Sequence, residues 1–355
     1  MIPCVVTVAR MLKYTPACFT CASATAKPVA PTETTSFYAT HLGNASITWQ
    51  RRAFLGLSLL ADLQLSDLPT EEDETDSTSD HLHFRLSILL PFKRKGSKRL
   101  RLHTAGGRRC SVELVWDLSR AIFTRECGPE PAAGFFFAIA VDEKVLLVAG
   151  DRRNEAYRRI KAVRPRSGNI GTEPILKRAE VKLGEIGRNT SWTAMARFGG
   201  QQREVLISID LEKKRMRLAI NGEMVLQVNR LRWKFRGSER VAAEGGDRIQ
   251  VSWDLYRFLF RPGSGGKELS SPAPAKNGDA VIVLRFENSE EESFRERGGW
   301  GYFGKSGNWS EGSSSRSWTT GTSSQSLEDW ESLEDARMRN SDADGFTLVI
   351  CARKG

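Results

Sequence analysis

The chain has 355 residues, 53 Lys and Arg against 43 Asp and Glu, and a formal net charge of +10. That length is ample for one large β domain or two ordinary ones, and with 40% hydrophobic and 27% charged residues the composition is globular. No apolar run is long enough to cross a bilayer, Cys4, Cys18, Cys21, Cys110, Cys127 and Cys351 lack the dense spacing of a small secreted disulfide scaffold, and the positive excess favours an anionic partner, whether an acidic protein surface, anionic lipid or nucleic acid.

In chain order, the opening stretch has no acidic residue before Glu33 and carries Arg10, Lys13 and Lys27 among small and hydroxyl residues. This composition reads as a disordered tail of a cytoplasmic or nuclear protein, with a weak transit segment for chloroplast or mitochondrion as the alternative. Residues 1–36 are therefore set apart from the domain.

From Phe37 to Glu287 the text is short apolar-alternating runs broken by Gly, Asn, Asp and charged clusters, the pattern of an all-β domain. Strands are expected at Ile47–Trp49, Leu57–Leu65, Leu82–Leu90, Arg99–His103 and Val112–Phe123. The continuous apolar run Phe135–Val141 reads as a strand buried on both faces, turning at Asp142-Glu143-Lys144 into Val145–Val148. Arg152–Ala162, with Ala156, Tyr157 and Ile160 at helical spacing, is the one expected helix.

Further strands follow at Trp192–Phe198 and Val205–Leu211. The clearest hairpin is Arg215–Val228, where Asn221-Gly222 supplies the two φ > 0 positions of a type I′ turn. Ile249–Phe260, Ala280–Phe286 and a returning Phe346–Cys351 complete the set. Residues 66–80 read as an acidic loop, and residues 288–343, rich in Gly and Ser, as a disordered excursion before the last strand in 344–355. The expected fold is an antiparallel β-sandwich or jelly roll with one short helix and disordered extensions. An internal echo, Trp116-Asp117-Leu118-Ser119-Arg120-Ala121-Ile122-Phe123 against Trp253-Asp254-Leu255-Tyr256-Arg257-Phe258-Leu259-Phe260, suggests equivalent strands in two halves of such a sandwich.

Five stretches together carry a resemblance: Gly128-Pro129-Glu130-Pro131, Gly134–Asp142, Ala196-Arg197-Phe198-Gly199-Gly200, Arg230-Leu231-Arg232-Trp233-Lys234-Phe235-Arg236-Gly237, and Val251-Ser252-Trp253-Asp254. In this order they resemble the plant "domain of unknown function 868" family. The resemblance implies one β-rich domain and a land-plant source, and brings no activity, cofactor or catalytic residue to these positions.

Candidate sites are few. Arg230, Arg232, Lys234 and Arg236 alternate with Leu231, Trp233 and Phe235, so a strand here would present four cations on one face and bury the aromatics on the other. Arg99 and Arg101 repeat the arrangement more weakly. Cations spaced along a strand match the spacing of phosphates, although charged edge strands also serve simply to prevent unwanted pairing. With the aromatics turned inward, stacking on single-stranded bases is not expected. Trp49, Trp116, Trp233 and Trp253 are all placed in the core rather than on a sugar platform.

Gly299–Ser306 satisfies the spacing of a phosphate-binding loop but lacks the flanking strand and helix that aim its amides. His81, His83 and His103 lie near arginines, and Cys18-x-x-Cys21 has no second pair, so no metal set is assigned. Asp117 and Asp254, each after a Trp, are expected to bind a basic residue at a strand end. The reading is a non-catalytic binding or scaffold protein with an acidic or anionic partner and no cofactor. An enzyme or nucleotide-binding protein of unrecognised chemistry and a lectin-like module are the alternatives.

Overall fold

In the computed structural model, the residues described are 27–52, 56–65, 82–89, 93–103, 109–124, 128–163, 171–184, 187–198, 201–243, 248–260, 280–287 and 345–354. Tight hairpins build it. Asn221 and Gly222 take φ values of 51° and 85°, joining β12 (Arg215–Ile220) to β13 (Glu223–Val228), as the type I′ signal requires. Asp142 and Glu143, at 45° and 63°, do the same between β7 (Phe136–Val141) and β8 (Lys144–Gly150). In both turns the first side chain also reaches the third strand. Asn221 Oδ1 accepts from the Glu204 amide at 2.9 Å, and Asp142 Oδ1 from the Ser111 amide at 2.8 Å.

The strands form four consecutive meanders. β1 (Glu33–Thr40), β2 (Gly43–Arg52), β3 (Gly56–Leu65) and β4 (Leu82–Leu89) make the first, and β5 (Lys95–His103), β6 (Arg109–Asp117), β7 and β8 the second. β10 (Asn189–Phe198), β11 (Gln201–Asp210), β12 and β13 make the third, and β14 (Arg236–Ala242), β15 (Arg248–Asp254), β16 (Ala280–Glu287) and β17 (Phe346–Lys354) the fourth. The second and third stand as separate four-stranded sheets. β9 (Leu176–Leu183) joins the other two into one nine-stranded sheet, ordered β14-β15-β16-β17-β9-β1-β2-β3-β4, pairing antiparallel with β1 and parallel with β17.

Both small sheets pack on the same face of the large one. Residues paired across neighbouring strands share a face, and Thr34 pairs with Trp49 and with Ala179, which in turn pairs with Ile350. Trp49 belongs to a core with Leu59, Leu63, Leu114, Phe137 and Ile139 between β1–β4 and β5–β8. Ala179 and Ile350 belong to a second core with Trp192, Ile207, Leu218, Trp253 and Ile282 between β10–β13 and β14–β17. The chain is thus two eight-stranded sandwiches placed side by side, each built from a meander folded over the next. Helix α1 (Arg153–Arg159) closes the outer face of β5–β8, seating Ala156 and Ile160 on Phe136, Ala138, Val145 and Val148.

The all-β, antiparallel reading holds, and the echo marks equivalent strands, β6 and β15, of the two sandwiches. The strands expected through Phe123 and Phe260 stop earlier, at Asp117 and Asp254. In each case the Asp Oδ1 accepts the amide two residues on, Ser119 at 3.0 Å and Tyr256 at 2.9 Å, which diverts the backbone from the ladder. The second of these turns leads into a second helix, α2 (Tyr256–Phe260). The ordered chain also begins before Phe37, since β1 starts at Glu33, and β9 was not foreseen. The acidic loop 66–80, the whole of 288–343 with the Gly299–Ser306 match, His81, Cys18 and Cys21, and the side chains of His83 and His103 lie outside the described residues.

Candidate basic and aromatic binding site

The segment expected as an alternating basic strand is a turn. Arg230 adopts φ 58°, the amides of Trp233 and Lys234 both donate to the Arg230 carbonyl (2.8 and 3.1 Å), and the ladder resumes only at Arg236. Period-two chemistry here reflects a tight turn in which one apolar residue is taken inward and the next is left out. Leu231 is buried in the second core, its amide donating to the Lys214 carbonyl at 2.9 Å. Trp233, placed in the core by the sequence pattern, is instead 85% exposed, whereas Trp49, Trp116 and Trp253 are buried.

The consequence is a surface in which cations and rings are interleaved. Arg230, Arg232 and Lys234 are exposed around Trp233. Phe235, Tyr256 and Phe260 form a triangle with ring centroids 5.5 to 5.6 Å apart, and the Arg236 guanidinium lies over Phe235 and Tyr256 at 5.9 and 5.5 Å. α2 holds this triangle in place through its opposite side, where Phe258 is buried against Trp192. Beside the triangle runs an open groove of about 580 Å³ with Leu211, Leu231, Leu259 and Phe260 as apolar walls and Lys214, Arg232 and Trp233 on its rim.

This corner has a counterpart in the first sandwich. Lys93-Arg94-Lys95-Gly96 enters β5 as Lys234-Phe235-Arg236-Gly237 enters β14. The Trp116 indole donates to the Lys93 carbonyl and the Trp253 indole to the Lys234 carbonyl, both at 3.0 Å. The Leu118 amide donates to the Arg94 carbonyl at 2.7 Å, and the Leu255 amide to the Phe235 carbonyl at 2.8 Å. Each indole lies flat on the glycine opposite it. A Cβ on Gly96 would come within 2.6 Å of Trp116, and one on Gly237 within 2.3 Å of Trp253.

Asp117 and Asp254 take the strand-end roles the sequence suggested, but in different settings. Asp117 is buried and meets Lys95 (3.4 Å), Arg159 (3.3 Å) and Arg152 (3.8 Å), the last two brought by α1 and the residue before it. Burial alone would raise its pKa, yet the Ser119 hydroxyl and amide and Lys95 outweigh that and hold it below the ordinary carboxylate value. Asp254 meets Arg236 alone among the described cations, at 2.8 Å. Arg236 is therefore engaged inside the corner, while Arg230, Arg232 and Lys234 have no carboxylate partner among the described residues.

Arg99 and Arg101 do not join this site. They sit on β5, at the edge of the sheet that covers β1–β4, whereas β14 is at the far end of the nine-stranded sheet. Arg99 is also paired with Glu113 at 3.3 Å.

A second polar centre lies where the two sandwiches meet. A cavity of about 60 Å³ is lined by Tyr38 and Lys177 from the large sheet, Glu130 and Phe135 from the connection between β6 and β7, and Ala196 and Arg197 from β10. Lys177, buried, forms an ion pair with Glu130. Burial, Glu130 and Glu173 push the Tyr38 phenol upward, so it stays protonated. Glu130, Phe135 and Arg197 come from three of the stretches quoted for the family resemblance. The size of the cavity and its internal pairing suit a joint between sandwiches rather than a ligand pocket.

A family model described as a plant protein of unknown function, domain of unknown function 868, matches residues 30–354. The chain belongs to this family. No curated protein and no solved structure matches it. In this member of the domain of unknown function 868 family the matched region takes in both sandwiches, the joint and the Trp233 corner. No helix among its described residues is long and apolar enough to cross a membrane.

Proposed function

We propose that this protein is a non-catalytic binding module that takes an anionic partner at the corner formed by Arg230–Arg236 and α2. The observation that carries the reading is Trp233, 85% exposed and flanked by Arg230, Arg232 and Lys234. A large indole left in water by a fold that buries Trp49, Trp116, Trp192 and Trp253 is a recognition feature. The surrounding cations give it a sign. Its chemistry is charge, ring faces and an apolar groove.

The test is a binding series with defined anions: a single-stranded oligonucleotide, vesicles rich in phosphatidylserine, and an acidic peptide. The Arg230, Arg232 and Lys234 to Ser variant is the informative one, because Arg236 is tied into the fold. Three lost phosphate contacts correspond to a slope of about −2 in log affinity against log salt for a single strand. If the variant remains folded and binds every probe as the natural chain does, the corner is not the site.

Exposed Trp233 also supports a lectin-like reading, in which a sugar ring stacks on the indole. Such binding would survive both added salt and loss of the three cations, and would be lost on Trp233→Ala.

A further inference from the structure

The groove beside Trp233 is not shaped only for charge. Its walls, Leu211, Leu231, Leu259 and Phe260, call for apolar side chains, while Lys214, Arg232 and the neighbouring Arg230 and Lys234 call for carboxylates around them. Bare phosphate polymers supply the second requirement and not the first. A short acidic segment with apolar residues along one side supplies both.

The chain contains one. Leu327-Glu328-Asp329-Trp330-Glu331-Ser332-Leu333-Glu334-Asp335 places Leu327, Trp330 and Leu333 three residues apart, with Glu328, Asp329 and Glu331 between them, Glu334 and Asp335 directly after, and no cation in the run. Resting on the binding-module reading above, we propose that this segment occupies the Trp233 groove of its own chain, so that an external anionic partner binds by displacing it. The acidic run Thr70–Asp80 is the weaker fit. It has no apolar residue to fill the walls, and its anchoring strands, β3 and β4, lie at the end of the nine-stranded sheet opposite β14.

Reach allows the docking. The segment rejoins the fold through residues 336–345 at Phe346, which pairs with Phe286, and the groove begins past Asp254, which pairs with Val281. The run along β16 from Phe286 to Val281 is about 17 Å at roughly 3.4 Å per residue. Residues 336–345 span up to about 33 Å when extended.

The experiment uses the full chain carrying Leu327→Ser, Trp330→Ser and Leu333→Ser, checked for an unchanged unfolding curve, and a labelled synthetic peptide of residues 325–337 added in trans. The opened variant is expected to bind the peptide at least tenfold more tightly than the natural chain, whose groove is already filled. Adding Arg232→Glu and Trp233→Ala to the opened variant is expected to abolish that binding. Equal binding by both proteins, or by neither, overturns the proposal, as does a concentration-dependent dimer of the natural chain that the three Ser substitutions dissolve. If the oligonucleotide or vesicle probe binds through Arg230, Arg232 and Lys234 while the peptide does not bind, internal docking fails and the binding-module reading stands. If no anionic probe binds the opened variant, both fail.

Discussion

The two Trp-Asp corners share a backbone plan and differ in what surrounds it. In both, an indole donates to a carbonyl before the strand, lies on a glycine across the ladder, and is followed by an aspartate that turns the chain. In the first sandwich, Arg152 and Arg159 converge on the buried Asp117, and α1 covers the outer face of the sheet. In the second, the aspartate has one arginine among the described residues, and Tyr256, at the position of Ser119, joins Phe260, whose counterpart Phe123 is also exposed, in a ring cluster beside the exposed Trp233. The shared plan is therefore structural, and function is to be sought in the departure from it.

The largest expected effect separates the corners by stability. Asp117→Ala takes the buried carboxylate from Arg159 and Lys95 and leaves Arg152 with Glu155 alone, a loss of about 3 kcal/mol by the behaviour of broken buried pairs. Asp254→Ala frees a half-exposed Arg236 and is expected to cost about 1 kcal/mol. Urea unfolding of the two variants measures this, and equal losses would mean that α1 adds nothing to the first corner.

Next come the features the corners have in common. Gly96→Ala and Gly237→Ala each press a methyl into an indole, and each is expected to cost about 1 to 3 kcal/mol by overpacking. A loss at one glycine and none at the other would break the equivalence.

The acid limb of stability sharpens the comparison further. Asp117 is held below its ordinary pKa, so its contribution is complete above the unfolded value, about 3.9, and disappears as pH falls through the lower folded value. Unfolding free energy of the natural chain is expected to drop below about pH 4, less steeply in Asp117→Asn. Asp151, lowered by the Gly134 and Phe135 amides against its own burial, keeps part of the slope in both proteins. Identical slopes would mean the Asp117 ion cluster does not form in solution.

Trp233→Ala is the smallest change in stability, expected to stay within about 0.5 kcal/mol because the indole is already in water. A larger loss would make Trp233 a packing residue and remove the reason for placing a site there.

The hairpins, the apolar run through Phe135–Val141 and helix α1 were legible in the sequence because each has a local cause: a turn dipeptide, a two-sided core or a period of 3.6. β1 and β9 were not, since the faces they turn to the joint carry Thr34, Ser36 and Lys177, which read as loop chemistry. At Arg230–Arg236 and Tyr256–Phe260 alternation and short apolar runs matched a strand, and only the φ of Arg230 and the Asp254 turn redirect the backbone. The cations of the site were thus visible in the sequence. Its exposed rings were not, because inward and outward placement was inferred from a strand that does not form.

The central claim is that the Trp233 corner binds anions and the Asp117 corner does not. Titration of the oligonucleotide, vesicle and peptide probes against the natural chain, the Arg230, Arg232 and Lys234 to Ser variant, and a Lys93 and Arg94 to Ser variant tests it most directly. The account expects salt-sensitive binding of one probe class, lost in the first variant and kept in the second. Binding that persists in the first variant, or falls equally in both, would contradict it.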